Sequence, residues 1–140
     1  MELQTFVIDI DDTISYISQY ELNSNKIADY QNSIPIKPVI DKINKLYNQG
    51  HKIILFTSRG MRTFKGDIKK IIEYHKPILE KWLKKYNVKY HELYFGKPWG
   101  KNVRYVDDKN LTINQFIEFD SSEYFKCLNN NKSKIYETKI

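Results

Sequence analysis

The sequence predicts an α/β fold in which a parallel sheet carries helices on both faces. Three observations carry that expectation. Four short apolar stretches rich in β-branched or aromatic residues, at 3–10, 52–57, 91–95 and 102–106, alternate with polar or amphipathic segments. The stretches 37–50 and 67–87 place their apolar residues at helical spacing. All four apolar stretches also end in polar or charged residues, and sheets of this kind bind ligands beyond the carboxyl ends of their strands.

Taken in order, LQTFVIDI at 3–10 reads as the first strand and runs directly into acids. Residues 14–34 are too polar for a core strand and too irregular for a helix, which fits a small flap or hairpin over the strand ends. KPVIDKINKLYNQG is amphipathic and ends in Gly50, a residue suited to a helix C-terminus. KIILFT at 52–57 is the second strand. In the helix that follows, Ile68, Ile71, Ile72, Ile78, Leu79, Trp82 and Leu83 make one apolar face, and Pro77 should kink it or split it in two. HELYF and NVRYV are the third and fourth strands, LTINQFI is a short closing helix, and residues 121–140 read as a weakly ordered tail.

With 140 residues and a hydrophobic fraction of 41%, the chain suits one globular domain. Its single cysteine, Cys127, cannot form an intrachain disulfide, no leader pattern follows Met1, and no apolar run is long enough to span a bilayer. A cytoplasmic protein with no membrane partner is the expectation. The net charge of +6 (23 basic less 17 acidic residues) raises nucleic acid as a partner. The basic residues are mostly dispersed lysines with no recognition motif, so nucleic acid is the weaker candidate. His51, His75 and His91 lack the spacing of zinc ligands and read as structural.

The chemistry concentrates at the strand ends. Asp9, Asp11 and Asp12 crowd three acids into four positions. Two unit charges about 4 Å apart repel by roughly 4 kcal/mol at an effective dielectric near 20, so such a cluster needs a cation or a proton to offset it. Oxygen-rich sites of this kind suit Mg²⁺. Asp12, falling between Asp11 and Thr13, reads as a turn residue with no chemistry. The second strand ends in Thr57, Ser58 and Arg59, a hydroxyl-and-guanidinium set suited to a phosphoryl group. Lys97 sits between Gly96 and Pro98, which pin its backbone, with Lys101 a weaker competitor. The fourth stretch ends in Asp107 and Asp108. Each motif alone passes for a turn. Together they bring four carboxylates to one sheet edge, and turn chemistry does not explain that.

These residues resemble, in order, the four motifs of the haloacid dehalogenase (HAD) superfamily: Asp9, Asp11 and Thr13 as D-x-D-x-T, then Thr57, Lys97 and Asp107–Asp108. The resemblance spans residues 6–108. TSRGMRTFKGD, YFGKPWG and YVDDK further resemble the small capless phosphatases encoded with capsule or lipopolysaccharide biosynthesis genes. It implies a three-layer Rossmann-like domain over 1–120 with a flap at about 14–34, and Mg²⁺-dependent hydrolysis of a small phosphorylated metabolite. A sugar or polyol phosphate is the implied substrate class. Asp9 is then the nucleophile that becomes an aspartyl-phosphate, and Asp11 the general acid and base. Mg²⁺ is held by Asp9, the Asp11 main-chain carbonyl and Asp108, with Asp107 as alternative ligand or as orienter of Lys97. Thr57 and Lys97, with Thr13, Ser58 and Arg59, contact phosphate or substrate. The absence of room for a large cap implies an open site, or one closed by a neighbouring subunit. Competing readings are a nucleotide or polynucleotide-end phosphatase, a receiver-like regulatory domain and a non-catalytic phosphoryl-binding relative.

Overall fold

A computed structural model describes residues 2–17 and 27–120. The tail at 121–140 and the flap tip with Tyr20 lie outside the described residues. The chain divides into two compact units, residues 3–110 and a smaller one whose described part is Glu2 with residues 111–120. The division therefore falls after Asn110. In the smaller unit, α3 (Ile113–Ile117) starts with a reciprocal capping box between Thr112 and Gln115.

The larger unit is built on a parallel sheet of β1 (Thr5–Ile8), β4 (Lys52–Thr57) and β5 (Glu92–Phe95), in the order β1-β4-β5. The register pairs Ile8 with Leu55 and Thr57 with Phe95, so β4 and β5 end level and β1 ends two residues short of them at the same edge. A separate antiparallel ribbon of β2 (Ser15–Tyr16) and β3 (Ile34–Pro35) forms the base of the expected flap. The first crossover helix, α1 (Lys37–Asn48), buries Val39, Ile40, Ile43 and Leu46. Gly50 follows at φ +94°, in the left-handed region that a helix C-terminus favours and side-chain-bearing residues avoid.

The second crossover helix, α2 (Ile68–Lys85), is continuous in its span through Pro77. The expected split does not occur. Ile71 and His75 are buried before the proline, and Leu79, Trp82 and Leu83 after it. Each buried large apolar side chain contributes roughly 1.5–3 kcal/mol, which together exceeds the ~3 kcal/mol cost of an interior proline. The Trp82 Nε1–H also donates to the Ser33 carbonyl at 2.9 Å, tying α2 to the flap base.

Two expectations require correction. Helices on both faces were expected, but within residues 3–110 they lie on one. Strand order β1-β4-β5 advances in a single direction, and right-handed crossovers taken in one direction place successive helices on the same face. Phe6, Ile8, Ile53, Leu55 and Thr57 on that face are buried. The opposite face carries Val7 at 61% and Tyr94 at 50% exposure, together with a Lys52–Glu92 ion pair at 3.4 Å.

The second correction concerns residues 102–106, which form no strand. Val106 is 95% exposed. Parallel strands need a connection of roughly a dozen residues or more, and only residues 96–101 lie between β5 and this stretch. The chain instead doubles back: Val103 N–H donates to the Gly100 carbonyl at 3.1 Å, and the Tyr105 hydroxyl donates to the Pro98 carbonyl.

Replacing Trp82 with Phe keeps the ring but leaves the Ser33 carbonyl without its donor. The expected loss of stability is roughly 1–3 kcal/mol, read as a lower urea midpoint with an unchanged slope.

Candidate active site at the strand ends

Because β1, β4 and β5 are parallel, the residues just beyond their carboxyl ends share one edge. Asp9 follows β1 and receives two contacts. Its Oδ1 pairs with Lys97 Nζ at 3.2 Å, and its Oδ2 accepts from the Thr13 hydroxyl at 3.0 Å. Lys97 reaches this position because its own N–H donates to the Thr57 carbonyl at 3.2 Å, continuing the β4–β5 ladder by one rung. The Tyr105 ring lies 4.3 Å from the Lys97 ammonium and covers it.

Between Asp9 and Thr13 the chain turns sharply. Thr13 and Ile14 N–H both donate to the Ile10 carbonyl, at 3.1 and 2.8 Å. Asp12 takes φ 64°, a left-handed conformation that Asp tolerates better than most residues, and its N–H donates to the Ser15 carbonyl. It is a turn residue, as its position between Asp11 and Thr13 suggested.

Asp11 has a different partner from Asp9. Arg59 grips it with a fork, Nε to Oδ2 at 3.2 Å and Nη2 to Oδ1 at 2.8 Å. Arg59 is only 3% exposed, and its guanidinium stacks 4.1 Å from the centre of the Tyr30 ring. Its own N–H donates to the Thr57 hydroxyl at 3.0 Å, which fixes the turn leaving β4. The sequence pointed to Arg59 as a substrate contact; the structure makes it the counter-ion of Asp11. Forty-eight positions separate the two, so no local pattern announced the pair. Ser58 is half-buried beside them.

Behind Arg59 sits His75 on α2, fully buried, with Tyr30 at 5.4 Å and Tyr74 at 4.8 Å edge-on to its ring. Neither ring nitrogen has a hydrogen-bond partner among the described residues. Burial, and then the Arg59 guanidinium, push its pKa down to about 4, against a smaller opposing pull from Asp11. A neutral imidazole is what a buried arginine can tolerate nearby. Gly60 (φ +83°) makes the approach feasible, since a Cβ there would lie 2.7 Å from His75 Cδ2. His51 and His91 have purely architectural bonds, each accepting a main-chain N–H through Nδ1 at 3.0 Å.

Asp107 and Asp108 are exposed and lie outside this constellation. Asp107 accepts the Lys109 N–H at 2.9 Å, and that bond, with a further one from the Asp108 side chain, holds its carboxyl below the usual range. Among the described residues no three His, Cys, Asp or Glu side chains are gathered to hold a metal. Asp9 is engaged by Lys97 and Thr13, and Asp11 by Arg59. Within one chain these residues do not fit the Mg²⁺ site that the resemblance implies, in which Asp9 and Asp11 are joined by Asp108 or Asp107.

No protein-family model matches the chain, and no curated protein matches it. It is similar to a crystal structure of a structural-genomics target from Vibrio cholerae, at 29% identity and a TM-score of 0.79, over 92% of this chain and 99% of that one. The similarity supports the α/β fold, and the description of that protein names no activity.

His75 makes stability depend on pH. The unfolded imidazole takes up a proton near pH 6.5, whereas the folded one resists until about pH 4. The stabilising contribution is therefore complete above pH 6.5 and is lost as pH falls toward 4, by at most roughly 3 kcal/mol. Denaturation midpoints at pH 7 and pH 4.5 should show that fall, and His75→Phe should reduce it.

Proposed function

We propose that this protein is a phosphomonoester hydrolase of the HAD type, with Asp9 as nucleophile. The observation that carries the reading is the placement of Asp9. It leaves a parallel strand that is buried on one face, and lies between a lysine ammonium and a hydroxyl, beside the end of a strand that closes with Thr57. A carboxylate held between two fixed donors is oriented without being consumed as a structural bridge, because Asp9 retains partial exposure toward an incoming ester.

In this reading one Asp9 oxygen attacks phosphorus, the ester P–O bond breaks, and the leaving alkoxide takes a proton from Asp11. Water then attacks the aspartyl-phosphate with Asp11 as base, releasing inorganic phosphate and restoring Asp9. Lys97 offsets the charge that collects on the phosphoryl oxygens. Thr57 has its hydroxyl oxygen occupied by the Arg59 N–H, which leaves the hydroxyl proton available for phosphate. Thr13 holds Asp9 rather than substrate.

Arg59 imposes a condition on Asp11. A guanidinium only donates, and it takes both Asp11 oxygens, so one of them must leave the fork before Asp11 carries a proton to the leaving group. Arg59 therefore parks the acid. Mg²⁺ belongs to this proposal only with a third carboxylate brought to Asp9 and Asp11. The substrate class implied by the resemblance is a sugar or polyol phosphate of surface-polysaccharide synthesis.

Purified protein should release phosphate from p-nitrophenyl phosphate or a sugar phosphate in the presence of Mg²⁺. Asp9→Asn should retain the fold by circular dichroism and fall below roughly one-thousandth of the wild-type rate. Near-normal turnover by that variant would sink the mechanism. Lys97→Met should lower kcat by roughly 10²–10³-fold.

A further inference from the structure

The arm that follows Lys97 makes no strand, yet the chain folds it back against the site. It leaves β5, turns where the Val103 N–H meets the Gly100 carbonyl at 3.1 Å, and returns. Gly100 is needed at that turn, because a Cβ there would lie 2.9 Å from Val103 Cγ2. The returning arm delivers Tyr105, whose hydroxyl donates to the carbonyl of Pro98, the residue next to Lys97. Its ring face then lies 4.3 Å from the Lys97 ammonium. Lys97 is thereby fixed at both ends. Its main-chain N–H is bonded to the Thr57 carbonyl, and its Nζ stands between the Tyr105 ring and Asp9 Oδ1, 3.2 Å away. The Lys97 side chain keeps only 19% exposure, so the ring contact acts with part of the surrounding water removed.

An ammonium carries three N–H donors and no acceptor. Asp9 takes one and the Tyr105 ring face draws a second, while among the described residues the third has no partner. With two directions set, tetrahedral geometry sets the third, and it stays within reach of a group seated on Asp9. We propose that Tyr105 is the positioning residue of Lys97, turning a flexible lysine into a donor with one open direction, which receives a phosphoryl oxygen. The inference rests on the phosphomonoesterase reading for its chemistry. Without the ring the ammonium would rotate and spread its donors between Asp9 and water. Charge building on the phosphoryl oxygens would then meet a donor still to be oriented. Tyr105 itself touches no reacting atom. The arrangement also gives residues 102–106 a role, as the arm that carries the ring.

With p-nitrophenyl phosphate and Mg²⁺, Tyr105→Leu, which keeps bulk but has no ring face, should lower kcat roughly 5–30-fold with KM little changed. Tyr105→Phe keeps the face and loses only the hydroxyl tether, and its kcat should stay within roughly threefold of wild type. Equal losses in the two variants would assign the effect to the tether or the fold and overturn the inference. A sugar phosphate should show the same loss in Tyr105→Leu, because the phosphoryl group is common to both substrates. A loss confined to one substrate makes Tyr105 a contact of the alcohol and overturns the inference too. In the Lys97→Met background Tyr105→Leu should cost nothing further, and a full additional loss there overturns the coupling. If wild-type protein hydrolyses no phosphomonoester, the functional reading fails on its own. Acylation of the folded protein with acetic anhydride then decides the placement of Tyr105. Lys97 should be modified severalfold faster in Tyr105→Leu than in wild type or Tyr105→Phe, and an unchanged rate overturns the inference.

Discussion

Asp9 and Asp11 leave the same strand two residues apart, and neither can be folded beside the other without a positive charge of its own. The protein divides that task. Lys97 arrives from the end of β5 and meets Asp9, while Arg59 arrives from the end of β4 and meets Asp11. The two cations differ in kind as well as in origin. The ammonium on its flexible stem is partly exposed, whereas the guanidinium is buried, forked and stacked. Such a fork holds its carboxylate in a fixed orientation, and a lysine contact yields more readily to an anion of higher charge.

The arginine has consequences deeper in the molecule. A buried guanidinium needs neutral, polarisable surroundings, and Tyr30 and His75 provide them. His75 in turn requires Gly60, because no side chain fits between the imidazole and the turn leaving β4. Asp11, Arg59, Tyr30, His75 and Gly60 therefore form one dependent series reaching from the strand edge to the middle of α2. A change at any of them reaches Asp11 through the packing of the others, by contacts rather than by charge at a distance.

Much of this was legible in the residues alone. Hydrophobic periodicity located β1, β4, β5 and both crossover helices, because each buries a face wide enough to leave a pattern. The strand-end rule brought Asp9, Thr57 and Lys97 together before any coordinates. The Arg59–Asp11 fork was not legible, since it joins turns forty-eight positions apart and depends on a tyrosine from the flap. The single-sided placement of the helices follows from strand order, which local patterns do not encode. Residues 102–106 are a different failure. Their composition favours a strand, but propensity says nothing about whether the preceding connector can deliver one, and the length of 96–101 contradicts a parallel partner in the same chain.

The open face of the sheet has a colloidal consequence. Val7 and Tyr94 present apolar surface on it, and exposed apolar residues on strands are places where chains stick together. The Lys52–Glu92 ion pair lies across β4 and β5 on that same face. A strand docking flat on the sheet there would have to strip water from both charges, a cost with no return unless the incoming chain supplies complementary ones. Surface ion pairs contribute little to stability, and this one is better understood as a gatekeeper that keeps newly made chains apart while they fold.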